Sequence, residues 1–183
     1  MRRSIADVFP PATTLGLPIE QTARTGLDFT RPVDLKFSNV PLRELMEEIA
    51  QLARPQAEAS NIQVEVRLEE DGVEVRADRD LLKQAILNVV VNAIEAMPGG
   101  GALRLEALAG EDTAELRVSD TGVGISPELR EKIFRLYFTT KKEGSGIGLA
   151  MTFRIVQLQD GTIDFTSEPG KGTTFVIRLP IAA

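Results

Sequence analysis

Cysteine, histidine and tryptophan are all absent from the 183 residues, and tyrosine occurs once. Without cysteine there are no disulfides, thiolate zinc sites or thiol nucleophiles, and the redox compartment leaves no trace in the composition. Without histidine the commonest general base and metal ligand are missing, so no imidazole chemistry is open to these residues alone. No stretch approaches the roughly 18 uncharged apolar residues of a membrane span. The amino terminus, MRRSIADVFPPATTLGLP, starts basic but lacks the apolar core of a signal peptide. A soluble, cytoplasmic chain without direct membrane contact is therefore expected. Positive charge is in deficit too: 21 Lys and Arg stand against 27 Asp and Glu, a net charge of -6. That balance argues against coating nucleic acid, so an anionic ligand would have to be held by local features.

What is present is enough for one core, at 43% hydrophobic residues. Residues 1 to 32 carry Pro10, Pro11, Pro18 and Pro32 without a sustained period and read as an extended lead-in. Residues 33 to 39 alternate Val33, Leu35 and Phe37 inward, predicting a short strand. After Pro41, the spacing of Leu42, Leu45, Met46, Ile49, Leu52 and Ala53 predicts a helix to about residue 60. IQVEVRL (62–68) and VEVRA (73–77) flank Asp71-Gly72, a favoured turn, and are expected to pair as a hairpin. From the capping residue Asp78 a helix is expected to run to Met97 and stop at Pro98 and three glycines. A second hairpin (102–109 and 113–119), a short helix (127–134), a helix (146–159) and two strands (162–166 and 173–179) complete the chain. The expected class is α+β: a two-layer sandwich of one mixed, mostly antiparallel sheet with helices on one face.

Four places carry polar or glycine-rich chemistry. In LNVVVNAIEAM (87–97), Asn88 and Asn92 lie four apart on one face of an otherwise apolar helix. Two buried amides need partners, since each left unsatisfied costs about 1 to 3 kcal/mol. They could bond backbone in the core, face solvent, or offer a hard oxygen to Mg2+. In SDTGVGIS (119–126), Asp120 ends a strand before Gly122 and Gly124; this is either a tight turn or a carboxylate placed for an exocyclic amine. In TTKKEGSGIGLAMT (139–152), Gly144, Gly146 and Gly148 open an apolar helix whose free amides could cradle phosphate, with Lys141 and Lys142 adding positive charge. The spacing is neither a Walker loop nor a dinucleotide fingerprint. In EPGKGTTFVIRLP (168–180), Gly170 and Gly172 turn into a strand on which Thr173 could face a base or simply pack.

The order of these elements, with Phe134 and Phe138 between the second and third, resembles the N box, the F box and the three glycine boxes of the GHKL ATPases. Within that superfamily residues 33 to 180 look most like the ATP-binding catalytic domain of two-component sensor histidine kinases. LDFTRPVDL (27–35) is similar to the segment that joins such a domain to its dimerisation helices. The resemblance implies residues 33–183 as the ATP-binding domain and 1–32 as the remnant of a linker. It implies Mg2+ and ATP as cofactors, with Asn92 on the metal and Asn88 its companion. Asp120 would take the adenine amine, Gly122 and Gly124 shape the base pocket, and Thr173 reach adenine directly or through water. Residues 139 to 148 would form a mobile lid. Thr140, Lys141, Gly144, Gly146, Ile147, Gly148 and Leu149 would lie at the phosphates, with Phe134 and Phe138 anchoring the lid by packing. Asn88, Asn92 and Lys141 are the catalytic candidates. Two departures stand out: Glu95 occupies a place where many relatives carry Lys, and Arg135-Leu136 a place where an acidic residue and a proline are frequent.

Hydrolytic members and anti-sigma serine kinases of the superfamily carry a glutamate base four residues before the metal asparagine. Here that place is Asn88, which cannot accept a proton near neutral pH. The resemblance therefore implies a histidine kinase catalytic portion, and with no histidine in these residues the phosphoacceptor must lie on a separate helical dimerisation domain serving a response regulator. A truncated piece, a split gene and a stand-alone monomeric module acting in trans all fit. The alternatives are an ATP-sensing regulatory module without chemistry and an anti-sigma-type kinase.

Overall fold

The structure, a computed structural model, describes residues 33–69, 72–135 and 148–183. The chain divides into two units, Met1–Leu35 and Lys36–Ala183, and every element below belongs to the second. Seven strands and three helices are described: β1 (Phe37–Pro41), α1 (Leu42–Ala59), β2 (Ile62–Leu68), β3 (Glu74–Asp78), α2 (Arg79–Glu95), β4 (Gly101–Ala109), β5 (Thr113–Asp120), α3 (Gly148–Leu158), β6 (Thr162–Glu168) and β7 (Gly172–Pro180). Five strands form one mixed sheet in the order β2-β4-β5-β7-β6, with β2 and β4 parallel and the other pairs antiparallel. β1 and β3 form a separate antiparallel ribbon.

Period-two burial fixes the sheet's inner face. Leu103 and Leu105 on β4, Leu116 and Val118 on β5, and Phe175, Ile177 and Leu179 on β7 are all buried against the helices. The helices reply with stripes of their own: Leu42, Leu45, Met46 and Ile49 from α1, Leu82, Ile86, Val89 and Val90 from α2, and Met151, Ile155 and Val156 from α3. Asp78 caps α2, its Oδ1 accepting from the Leu81 amide at 3.1 Å and its Oδ2 from the Lys36 amide at 2.9 Å. The amide of Asp78 in turn donates to the buried Gln159 side chain at 2.6 Å, tying the start of α2 to the end of α3.

The sandwich and its second hairpin agree with the sequence reading, and four local expectations do not. β2 and β3 do not pair: β2 lies parallel to β4, from Ile62 opposite Gly101 to Leu68 opposite Ala107, while β3 pairs with β1. Alternation says which face of a strand is buried but not which strand lies beside it. β3 takes β1 because Val75 and Val40, both fully buried, face each other there. The first strand begins at Phe37 rather than residue 33, and its buried member is Val40; Phe37 is 37% exposed. Leu52 falls outside the stripe of α1 and is 54% exposed. Residues 127–134 form successive turns with bonds three residues apart, such as Lys132 amide to Leu129 carbonyl at 2.9 Å, rather than an α-helix.

The outer face of the sheet carries charge in place of a second layer. Glu115 accepts from Arg117 at 2.6 Å and from Arg178 at 2.8 Å, and Arg178 also reaches Asp164 at 3.1 Å. Hydrogen bonding from Arg117, then from Arg178, holds the Glu115 carboxyl below its usual range against a desolvation that pushes it up. The resulting stability is present above the unfolded carboxyl pKa and is lost as pH falls through the folded value. Because water screens these groups, Glu115→Gln is expected to cost at most about 1 kcal/mol at pH 7. In urea titrations the difference from wild type should vanish in the acid range; a pH-independent difference would mean that packing, not charge, is responsible.

Candidate functional site

The polar end of the sheet is built from three strands. Register places Asp120 of β5 opposite Thr173 of β7, and Thr173 opposite Ser167 of β6, so the three side chains share one row on the inner face. The neighbouring row is apolar, pairing Val118 with Phe175 and Phe175 with Phe165. Asp120 is 8% exposed and Thr173 6%, among the few buried polar residues. Burial raises the Asp120 carboxyl above the usual range, opposed by the backbone amides of Gly122 and Thr173; the Gly122 bond to Oδ1 measures 2.8 Å. Ser167 Oγ lies 2.8 Å from Thr173 Oγ1, 2.7 Å from the Ile125 amide and 3.0 Å from the Gly172 carbonyl.

The glycines around this row bring backbones together. A Cβ on Gly122 would meet the Ala96 carbonyl at 2.4 Å, and one on Gly172 the Asp120 carbonyl at 1.9 Å. Gly124, at φ +73°, would meet the Glu168 carbonyl at 2.3 Å. These positions are thus closed to side chains by neighbouring backbone, whatever a ligand adds. The contact of Gly122 with Ala96 is reinforced by the Val123 amide, which donates to the Ala96 carbonyl at 3.0 Å.

Ala96, the residue that caps the end of α2, continues the stripe of Asn88 and Asn92, four residues apart each time. Asn88 Nδ2 donates to the Gly148 carbonyl at the start of α3, at 3.3 Å. Thr152, fully buried, reinforces that junction, its hydroxyl 3.0 Å from the Gly148 carbonyl and 3.1 Å from that of Ala85. One face of α2 therefore runs about 12 Å from the start of α3, past the half-buried Asn92, to the turn that follows Asp120. Among the described residues no group of three or more acidic side chains is gathered that could hold a metal ion. A divalent cation beside α2 would thus draw on amide oxygens, water and a ligand's phosphates, a set that suits Mg2+. The acceptor-lined row around Asp120 likewise suits an amine-bearing base.

Phe134 packs against Phe153, Phe165 and Phe175 with ring centroids 5.7, 5.8 and 6.2 Å away, which fixes the turn before residue 136. Of the expected site residues, Asn88, Asn92, Asp120, Gly122, Gly124, Gly148, Leu149 and Thr173 are thus placed on α2, on α3 or at the sheet's polar end. Phe138, Thr140, Lys141, Lys142, Gly144, Gly146 and Ile147 lie outside the described residues. Two residues were not anticipated: Ser167, and Arg130, whose guanidinium donates to the Ser167 carbonyl. Counting back across the Glu168–Gly172 turn would have set Ser167 beside Thr173. Nothing in the sequence pointed to Arg130.

Among the described residues, no helix is long and apolar enough to cross a membrane. Residues 77–183 match the model of the family described as histidine kinase-, DNA gyrase B- and HSP90-like ATPase. The chain is 36% identical over 156 residues to the signal transduction histidine-protein kinase AtoS of Escherichia coli K12, covering 85% of this chain and 26% of that protein. Its fold matches the catalytic domain of the histidine kinase ThkA with a TM-score of 0.72 at 30% identity, over 80% of this chain and 96% of that one. It also matches full-length ShkA, solved in complex with AMPPNP, with a TM-score of 0.77 at 28% identity, over 88% of this chain and 34% of that one. The chain thus spans about a quarter to a third of the length of the first curated relatives it matches. Fold, ordered motifs and family match agree: the chain belongs to the histidine kinase-, DNA gyrase B- and HSP90-like ATPase family, whose domains of this kind bind Mg-ATP.

Proposed function

We propose that this chain binds Mg-ATP and presents the γ-phosphate to a histidine on a separate helical dimerisation domain, from which the phosphoryl group passes to a response regulator. The observation that carries the reading is the α2 stripe, with Asn88 at the start of α3 and Ala96 against the turn after Asp120. The base end is Asp120, which accepts from the exocyclic amine, with Thr173 beside it and Gly122 and Gly124 setting the turn. Asn92 holds Mg2+, and Asn88 fixes the start of α3. The phosphate end is residues 139–148, with Thr140 and Lys141 at the terminal phosphate and the amides of Gly144, Gly146, Ile147, Gly148 and Leu149 around the others. Bound Mg-ATP supplies the phosphoanhydride that is broken; the side chains place it and neutralise its charge. Asn88 has no basicity with which to activate water, which favours transfer to a partner over hydrolysis. Residues 33–183 are the working unit, residues 1–32 a linker, and the setting a cytoplasmic monomer.

The test supplies radiolabelled ATP and a histidine-bearing dimerisation domain as a separate protein. Label on that domain's histidine is expected, and Asn92→Ala is expected to lose both the label and the Mg2+-dependent part of ATP affinity in calorimetry. ATP binding without any label on the partner would sink the kinase reading in favour of an ATP-sensing module.

A further inference from the structure

The row Asp120, Thr173, Ser167 contains one hydroxyl whose hydrogen-bonding direction is fixed by its neighbours. Ser167 has one hydrogen and two lone pairs to offer. The Gly172 carbonyl, 3.0 Å away, can only accept, so it takes the Ser167 hydrogen. The Ile125 amide, 2.7 Å away, can only donate, so it fills one lone pair. The remaining contact, 2.8 Å to Thr173 Oγ1, then has Thr173 as its donor. Thr173 is left with no hydrogen for a ligand and can only accept from one. Asp120, whose Oδ1 already accepts from Gly122, is an acceptor as well.

We infer that Ser167 is a specificity-determining positioning residue: by holding the Thr173 hydroxyl as an acceptor, it makes the base end of the site require a donor at the 6-position of a purine. An exocyclic amine carries two N–H groups, one for Asp120 and one for Thr173, directly or through one water. This rests on the Mg-ATP reading above and adds a residue that does not itself touch the base. If Ser167 is lost, the Thr173 hydroxyl can rotate and donate to a ring nitrogen, and the demand for the amine relaxes.

The readout is the ratio of affinities for ATP and for purine riboside triphosphate, which lacks only the 6-amino group, measured by calorimetry. Ser167→Ala is expected to lower that ratio about tenfold, equivalent to one hydrogen bond's difference. Ser167→Thr, which keeps the hydroxyl on a strand that tolerates β-branching, should preserve it. In a Thr173→Val background, Ser167→Ala should leave the ratio unchanged, because its effect passes through Thr173. Should Ser167→Ala not fold, Ser167→Cys, similar in shape and much weaker in hydrogen bonding, is read the same way. An unchanged ratio in Ser167→Ala, or an equal loss in the Thr173→Val background, overturns the inference while leaving ATP binding intact. A wild-type chain that binds neither nucleotide overturns the Mg-ATP reading and this inference with it.

Discussion

Asp120→Asn is expected to produce a protein that is more stable at neutral pH and yet nearly unable to bind ATP. The stability gain follows from burial. The Asp120 carboxyl is raised above its unfolded value by desolvation, with the Gly122 and Thr173 amides only partly compensating. A carboxyl with a raised folded pKa costs stability above that pKa and nothing below the unfolded value, so the penalty fades as pH falls. Asparagine keeps the Gly122 bond through its carbonyl oxygen and carries no charge to desolvate. Its melting temperature should exceed that of wild type at pH 7, and the gap should close in the acid range. The binding loss follows from the other end of the amide, whose NH2 would face the exocyclic amine of adenine, donor against donor. Losing a hydrogen bond to a charged acceptor and leaving donors unpaired is worth about 3 kcal/mol, or roughly a hundredfold in affinity. The same NH2 suits a 6-oxo purine, so guanine nucleotides should lose far less in competition. A variant with lower stability at pH 7, or with ATP and GTP affinities reduced equally, would count against the role of Asp120.

The second large effect is expected at Gly172. With φ at +98° and an added Cβ placed 1.9 Å from the Asp120 carbonyl oxygen, Gly172→Ala meets both a disfavoured backbone and a neighbouring backbone that cannot turn aside. The strain alone is about 1 to 2 kcal/mol, and separating β7 from β5 at this row adds to it. A total loss of about 4 kcal/mol is expected, read as a lower denaturant midpoint. ATP binding should fall even where the variant remains folded, because the displaced pair is Asp120 and Thr173. Gly170→Ala is the control: its φ is also positive, at +79°, but no atom lies within 4 Å of the added Cβ. It should lose only the strain, with ATP affinity unchanged. Equal losses in the two variants would show that the close approach at Gly172 is unimportant.

The parts of the fold that could be read in the sequence are those whose cause is local. The cap at Asp78, the stripe of α1 and the β4–β5 hairpin follow from neighbouring residues, and each appears in the structure. The expected β2–β3 hairpin failed because partner choice depends on residues far away: Val75 is matched by Val40 and the β2 strand by β4. The site divides in the same way. Asp120 and Thr173 stand out as polar residues at strand ends beside glycines. That they face each other, with Ser167 completing the row, depends on the register of three strands. The tie between Asn88 and Gly148 joins residues sixty apart and leaves no local pattern.

The parallel pairing of β2 with β4 also bears on the order in which the site is assembled. Bringing those strands into register closes a loop from Glu69 to Gly100, and that loop contains the helix with Asn88 and Asn92. Ser167 and Thr173 need only the short β6–β7 turn, and Asp120 ends the strand of another short hairpin. Loop-closure entropy favours the short connections first. The pair of Ser167 and Thr173 can thus take shape from nearby chain. Asp120 joins it only when β5 pairs with β7 across residues 121–172, a longer closure than the one across residues 69–100 that sets α2 in place.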